Sequence, residues 1–232
     1  MRQITSLSIF FPSLNDAQSL PYMVTRAYEA ARSITHNFEI IIIDDGSTDD
    51  TLRVVSELRR HYRHLRLVTH PKNRGYGGAL ISGFTAAKKE WVFYTDGDGQ
   101  YDPSELTLLI NKASSRTDVV NGYKEKRHDP LMRIIAGSIY NWFIRIIYHP
   151  PIRDIDCDFR LIRRSLLKRL DLTSQSGAIC LELVTKLHHR GARFREVAVH
   201  HYPRLFGRSQ FFSLRRIAKT IEQLPPVTHH MY

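Results

Sequence analysis

Residues 40–43 are four consecutive isoleucines, closing the run FEIIII at Phe38–Ile43. A strand with one face in water alternates apolar and polar residues. A run this uniform fits a strand buried on both faces, as in a parallel sheet covered by helices on either side. Three more short β-prone runs flank it: Leu7–Phe11 (LSIFF), Leu65–Thr69 (LRLVT) and Trp91–Thr95 (WVFYT). Helical patterns lie between them. Pro21 can open a helix to about Ser33, with Met23, Val24, Ala27, Tyr28 and Ala31 on one face. Asp49 or Asp50 can cap a helix through about Arg60, and Gly78–Lys89 is an alanine-rich helix. Strand and helix in alternation, with short connections, predict a doubly wound α/β sheet.

The pattern loosens after Asp102. Helix is expected over Pro103–Ala113, Leu131–Tyr148 and Ala178–His189, the last stopped by Gly191. Strands are expected over Asp118–Gly122, Phe159–Arg163 and Arg193–His200 (RFREVAVH), and Ser213–Leu224 is a basic helix before a PP-containing tail. No internal repeat, low-complexity segment or linker is evident. The expected organisation is one compact domain over residues 1–211, with a nucleotide-type half at 1–102 and a different half at 103–211. A basic amphipathic helix and tail follow at 212–232.

At 232 residues and 42% hydrophobic content the chain can bury a full core. No stretch reaches the roughly 18 apolar residues of a membrane span, and MRQITSLSIFFPSLND does not read as a signal peptide. Two cysteines, Cys157 and Cys180, with no CxxC pair, point to a reducing cytoplasm. A net charge of +11 implies a polyanionic partner: nucleic acid, acidic lipid or a phosphorylated substrate.

Three loops follow predicted parallel strands: FPSLND, DDGSTDDT and TDGDGQYDP. Ligands of open α/β sheets sit beyond the carboxyl ends of the strands, so these loops are expected to line one crevice. The carboxylates of Asp96 and Asp98, in D-x-D spacing at a strand end, can hold a hard divalent cation such as Mg²⁺ or Mn²⁺. Asp and Gly are also ordinary turn residues, so D-x-D alone decides little. Spacing excludes three rival motifs. An EF-hand loop starting at Asp96 would need glycine and glutamate where Tyr101 and Thr107 stand. Gly78-ALIS-Gly83 is followed by Phe84, not by the lysine of a phosphate-binding loop. RGYGGALISG has Leu80 in place of the third glycine of a dinucleotide fingerprint.

IIIDDGSTDDT, HPKNRGYGGAL, YTDGDGQYDP, DIDCDFRLIRR and HHYPRLFGRSQ occur in an order that resembles family 2 glycosyltransferases. The closest likeness is to the branch making polyprenyl-phosphate sugars, such as dolichyl-phosphate mannose synthases and bacterial undecaprenyl-phosphate sugar transferases. It covers roughly Ser6 to Phe211. The resemblance implies a GT-A fold, a Rossmann-like and mostly parallel sheet flanked by helices. It also implies a UDP- or GDP-linked sugar donor, Mg²⁺ or Mn²⁺, and inversion at the anomeric centre.

The resemblance implies roles by position. Pro12 and Asp16, in PSLND, line the nucleotide pocket; leucine here replaces the family's usual tyrosine, and aspartate its glutamate. Asp45 matches the residue that hydrogen-bonds the nucleobase, and Arg74 stands on the nucleotide-sugar side. Asp96 and Asp98 match the metal site, Asp96 also facing the donor, with Gln100 in the metal shell. Arg127, Arg133, Arg160, Arg204 and Ser209 match positions binding the acceptor phosphate. A phosphate monoester is largely ionised near pH 7, with a second pKa of about 6, and needs positioning more than deprotonation. An alcohol acceptor would need a base. Asp156 or Asp158 is the candidate base or acceptor-orienting acid; these acids also suit a structural network with neighbouring arginines.

The apolar helix at 131–148 can contact lipid or simply pack in the core. The helix at 213–224 suits a membrane interface or the domain surface. Peripheral contact with the cytoplasmic face of a membrane, or a membrane-anchoring partner, is therefore expected. His200 or His201 borders the RxxxxS stretch and is a further candidate contact for the acceptor phosphate. Cys157 is expected to be a buried structural thiol. Two other readings compete: the same fold acting on a soluble glycan or other alcohol, and a basic nucleic-acid-binding α/β module. No helix-turn-helix, RNP-type or zinc-finger pattern supports the latter, so nucleic acid is not an expected partner.

Overall fold

The structure, a computed structural model, describes residues 4–125, 144–168, 170–204 and 222–224. Seven strands form one sheet: β1 (Leu7–Ser13), β2 (Phe38–Asp44), β3 (Leu65–Thr69), β4 (Trp91–Thr95), β5 (Val119–Lys124), β6 (Phe159–Arg163) and β7 (Phe194–Val199). Their spatial order is β3-β2-β1-β4-β6-β5-β7. β1 pairs in parallel with β2 and β4, β2 with β3, and β5 with β7. β6 is antiparallel to both its neighbours. The sheet is thus mostly parallel, as expected.

Helices α1 (Leu20–Ile34), α2 (Thr51–His61), α3 (Gly75–Ala86), α4 (Leu106–Lys112), α5 (Arg164–Leu167) and α6 (Ala178–His189) connect or cover the strands. The strands' two-residue period sorts the core into two layers. Leu7, Ile9, Phe11, Ile40, Ile42, Trp91 and Phe93 pack with Met23, Val24 and Ala27 of α1 and Leu106 and Leu109 of α4. Phe10, Ile41, Ile43, Val92 and Tyr94 pack on the other face with Leu80 and Phe84 of α3 and Ile179, Leu183 and Leu187 of α6. The isoleucine run therefore feeds both layers. α3 lies so close to β1 that a Cβ added at Gly83 would stand 2.3 Å from the Phe10 ring.

Three strands match their expected limits: Leu65–Thr69, Trp91–Thr95 and Phe159–Arg163. α3 differs, beginning at Gly75 and ending at Ala86 rather than spanning Gly78–Lys89. Distant partners set both ends. The Asp45 carboxylate accepts from the Arg74 and Gly75 N–H groups at 2.8 and 2.9 Å, capping the start. Past the end, the N–H groups of Lys88 and Lys89 turn to Ser8 Oγ at 3.1 and 3.0 Å, and Lys88 N–H also donates to Glu39 at 2.8 Å. The segment after Asp102 opens as a 3-10 turn, Pro103–Glu105, before α4. β5 runs to Lys124, beyond the expected Gly122. Of the long helix expected at 131–148, residues 144–148 are helical and the rest lies outside the described residues, as does the last basic helix except 222–224. Among the described residues no helix is long and apolar enough to cross a membrane.

Candidate active site

The loops after β1, β2 and β4 converge at the carboxyl edge of the sheet. Pro12 lies beyond the last β1–β4 pair, Phe10 with Tyr94, so its missing N–H costs no ladder bond. Its carbonyl instead accepts from Gly97 N–H at 3.2 Å, and Ser19 Oγ donates to the Gly97 carbonyl at 2.6 Å. These bonds hold the D-x-D turn against the start of α1. Gly99, at φ 79°, supplies the left-handed step that returns the chain toward Tyr101. Asp98 Oδ1 accepts from Gln100 N–H at 3.0 Å. Gln100 is tied on to the segment after β7: its carbonyl accepts from Tyr202 N–H at 2.8 Å, and its Nε2 donates to the Tyr202 carbonyl at 3.3 Å. Among the described residues the Gln100 amide oxygen accepts no hydrogen bond.

Asp16, Asp96, Asp98 and Asp158 share this crevice. Tyr76 O–H donates to Asp96 Oδ1 at 2.8 Å, and Cys180 Sγ lies 3.2 Å from Asp158 Oδ1. Arg204 reaches in from beyond β7, with Nη2 3.1 Å from Asp16 Oδ1 and Nη1 3.8 Å from Asp98 Oδ2. Burial, reinforced by the charges of Asp158 and Asp98, holds the Asp96 carboxyl well above the usual range. Burial also raises Asp98 and Asp158. Asp16 is pushed up to about 6, by burial first and then by the Asp98 charge, against the lowering effect of Leu14 N–H and Arg204. Carboxylates crowded out of water in this way favour a proton or a cation.

The donor chemistry fits a hard divalent ion. Asp96, Asp98 and the Gln100 amide offer only oxygen and leave coordination places for water and phosphate oxygens. Among the described residues no group of three or more His, Cys, Asp or Glu side chains is placed to hold a metal ion.

Other expected site residues divide. Asp45 stands at the crevice edge, but besides Arg74 and Gly75 N–H it holds His70 Nδ1 at 2.6 Å. A carboxylate has about four acceptor places, so one remains for a ligand. Arg74 is exposed, and its Nη1 lies 3.4 Å from Ser82 Oγ. Asp158 lies in the acidic cluster. The Asp156 carbonyl accepts from Lys124 Nζ at 2.9 Å, and Asp154 is buried with Oδ2 3.3 Å from Lys124 N.

Arg160 is a correction. It is fully buried, with Nε donating to Asn121 Oδ1, Nη1 to Tyr94 O–H at 2.7 Å and Nη2 to the Ile155 carbonyl at 3.0 Å. It stands opposite Tyr94 in the β4–β6 ladder, between two flanking strands, and is not available to an acceptor phosphate. His200 is held by Glu105, with Nδ1 2.8 Å from Oε1, while His201 is buried beside the Tyr101 ring. Cys157 is buried as expected, its thiol pushed up to about 12 by burial. Arg127, Arg133 and Ser209 lie outside the described residues. Sequence reasoning missed Tyr76, Ser19, His70 and Cys180. Tyr76 sits in the quoted RGYGG stretch, and an aromatic hydroxyl among glycines opening a helix is the one signal that could have found it.

The sequence model for glycosyl transferase family 2 matches residues 8–171, from β1 past β6 and through Asp16, Asp96, Asp98 and Asp158 of the crevice. The chain belongs to glycosyl transferase family 2. Two relatives are the undecaprenyl-phosphate 4-deoxy-4-formamido-L-arabinose transferases of Salmonella choleraesuis (strain SC-B67) and Salmonella paratyphi B, each 28% identical over 215 residues and 92% of this chain. This family 2 chain spans 65% of the length of those relatives. Glucosyl-3-phosphoglycerate synthase from Mycobacterium tuberculosis, crystallised with Mn²⁺, UDP and phosphoglyceric acid, superposes with a TM-score of 0.71 at 17% identity, covering 95% of this chain and 80% of that one. The same enzyme with Mg²⁺ and UDP gives 0.69 at 16% identity, with 95% and 80% coverage. The family 2 chain therefore has the GT-A fold of these glycosyltransferases.

Proposed function

We propose that this chain is an inverting, metal-dependent glycosyltransferase that moves a hexose from a UDP- or GDP-linked sugar to a polyprenyl phosphate. The observation that carries this reading is the crevice at the ends of β1, β2 and β4. There Asp16, Asp96, Asp98 and Asp158 crowd together and Arg204 touches two of them. The names of the Salmonella relatives support the polyprenyl-phosphate acceptor.

In this reading residues 1–102 hold the donor and residues 103–211 the acceptor. Asp96, Asp98 and Gln100 hold Mg²⁺ or Mn²⁺. Held there, such an ion would supply Lewis-acid stabilisation of the charge that develops on the donor's diphosphate. Pro12, Asp16, Asp45 and Arg74 line the nucleotide side. The one acceptor place left on Asp45 suits a nucleobase N–H, and the Asp45–His70–Ser82 chain keeps that carboxylate fixed. The bond between the anomeric carbon and the donor's phosphate oxygen breaks, its electron pair leaving with the nucleoside diphosphate. An acceptor phosphate oxygen forms the new bond on the opposite face. Arg204, with Arg127, Arg133 and Ser209, binds that acceptor phosphate. Asp158, beside Asp96, orients the acceptor in preference to Asp156. Contact is peripheral, at the cytoplasmic face of a membrane.

The test is a donor screen. UDP- and GDP-sugars are offered with Mn²⁺ or Mg²⁺ and polyprenyl phosphate, and lipid-linked products are identified by mass. A sugar-phosphate-lipid product is expected. Turnover with sugar alcohols alone would replace the lipid acceptor and make Asp158 a general base. No turnover of any nucleotide sugar would overturn the reading.

A further inference from the structure

The carboxyl edge of the sheet gathers acids; the opposite edge gathers cations. Lys88, Lys89 and Glu90 lead into β4, while Arg163, Arg164 and Lys168 follow from the end of antiparallel β6, so all six meet at the amino edge of the parallel strands. They line a concavity of about 430 Å³. β4 separates it from the D-x-D turn by its full length, about 13 Å at 3.3 Å per residue.

Part of this cluster is fixed and internally neutralised. Arg163 lies over the Trp91 ring at 4.3 Å and donates to the carbonyls of Thr117 and Ser114 at 3.0 and 2.8 Å. It also donates to Glu90 at 3.2 Å, and Glu90 accepts from Thr5 Oγ1 at 2.6 Å. Lys89 Nζ donates to Asn37 Oδ1 at 2.6 Å. The only acid lining the concavity is therefore already engaged. The side chains of Lys88, Arg164 and Lys168 have no hydrogen bond or ion pair among the described residues. Arg164 is anchored by its backbone, whose N–H donates to the Glu90 carbonyl at 2.9 Å.

We propose that Lys88, Arg164 and Lys168 form a second anion site, for a phosphate group, on the edge of the sheet opposite the acidic crevice. Isolated surface lysines are ordinarily solvated one by one. Here three cations with no side-chain partner among the described residues share one open concavity, and like charges so placed are relieved by a multivalent anion. Phosphate oxygens suit both the guanidinium fork and the ammonium groups. The ligand is a soluble phosphate compound or a phospholipid headgroup.

The test uses the full chain in EDTA at low salt, so that metal-assisted binding in the acidic crevice makes no contribution and the outcome is independent of the proposed transferase activity. Inorganic pyrophosphate is titrated calorimetrically, and flotation is measured with phosphatidylcholine vesicles with or without phosphatidylglycerol. The site variant is Lys88→Glu/Arg164→Glu/Lys168→Glu. A control of equal charge change, Arg59→Glu/Arg60→Glu/Arg63→Glu, lies on and just beyond exposed α2. Lys88→Glu alone serves should the triple variant not fold. Binding should weaken at least about tenfold in the site variant, be retained in the control, and fall as salt rises. Loss of pyrophosphate binding assigns a soluble phosphate, and loss confined to phosphatidylglycerol vesicles assigns a headgroup; either supports the site. Equal loss in both charge variants, undiminished binding in the site variant, or no binding of either probe by the wild type overturns it.

Discussion

Asp16 and Arg160 show how burial decides what a charge does. Asp16 holds its proton more tightly folded, near pH 6, than at its ordinary value of 3.8. Folding is therefore favoured as pH falls through 6 toward 3.8, and above 6 the ionised acid opposes folding by about 3 kcal/mol, an order-of-magnitude figure. Asp16→Asn should stabilise the metal-free protein at pH 7.5 by about 1–2 kcal/mol after the loss of the Arg204 pair. That gain should vanish by pH 4; urea unfolding in EDTA at the two pH values checks both. Arg160 has its donors on interior acceptors, so Arg160→Ala should cost about 3–5 kcal/mol of stability, read from the same unfolding curves. A phosphate-contact role would instead leave stability unchanged. The linear motif FRL led to a phosphate role for Arg160, although an arginine inside an apolar strand run is itself a sign of a buried, fully hydrogen-bonded group.

At the scale of elements, apolar runs located the strands closely because a run buried on both faces has few other homes. Helix ends were less legible. The start of α3 depends on Asp45, 30 residues upstream of Gly75, and its exit depends on Ser8 and Glu39. Local sequence carries no record of such partners. Asp45→Ala should therefore cost about 1–3 kcal/mol by uncapping α3 and freeing His70, seen as a lowered melting temperature. Close packing of α3 on β1 makes Gly83→Val a separate test. The added side chain meets the fully buried Phe10 ring, so a loss of about 1–3 kcal/mol or more is expected on thermal unfolding. A neutral Gly83→Val would show that α3 can shift away from the sheet.

Across the whole molecule, a chain of net charge +11 gathers Asp16, Asp96, Asp98 and Asp158 at one edge of its sheet. The sequence revealed the alternation of the first four strands with helices and the D-x-D turn, because both are local patterns. It did not reveal that Tyr76, Cys180 and Arg204, from three distant segments, each close on a different part of one acidic cluster. Only the crossing of β6 between β4 and β5 brings Asp158 beside Asp96. The central claim is that these carboxylates hold a divalent ion against a nucleotide-sugar diphosphate. The direct measurement is Mn²⁺-dependent release of nucleoside diphosphate from the sugar donor that the screen identifies, for wild type and Asp98→Asn. Wild-type release should stop in EDTA and return with Mn²⁺, and Asp98→Asn should lose at least about 100-fold without losing thermal stability. Equal release in EDTA, or a wild-type rate in Asp98→Asn, would contradict the account.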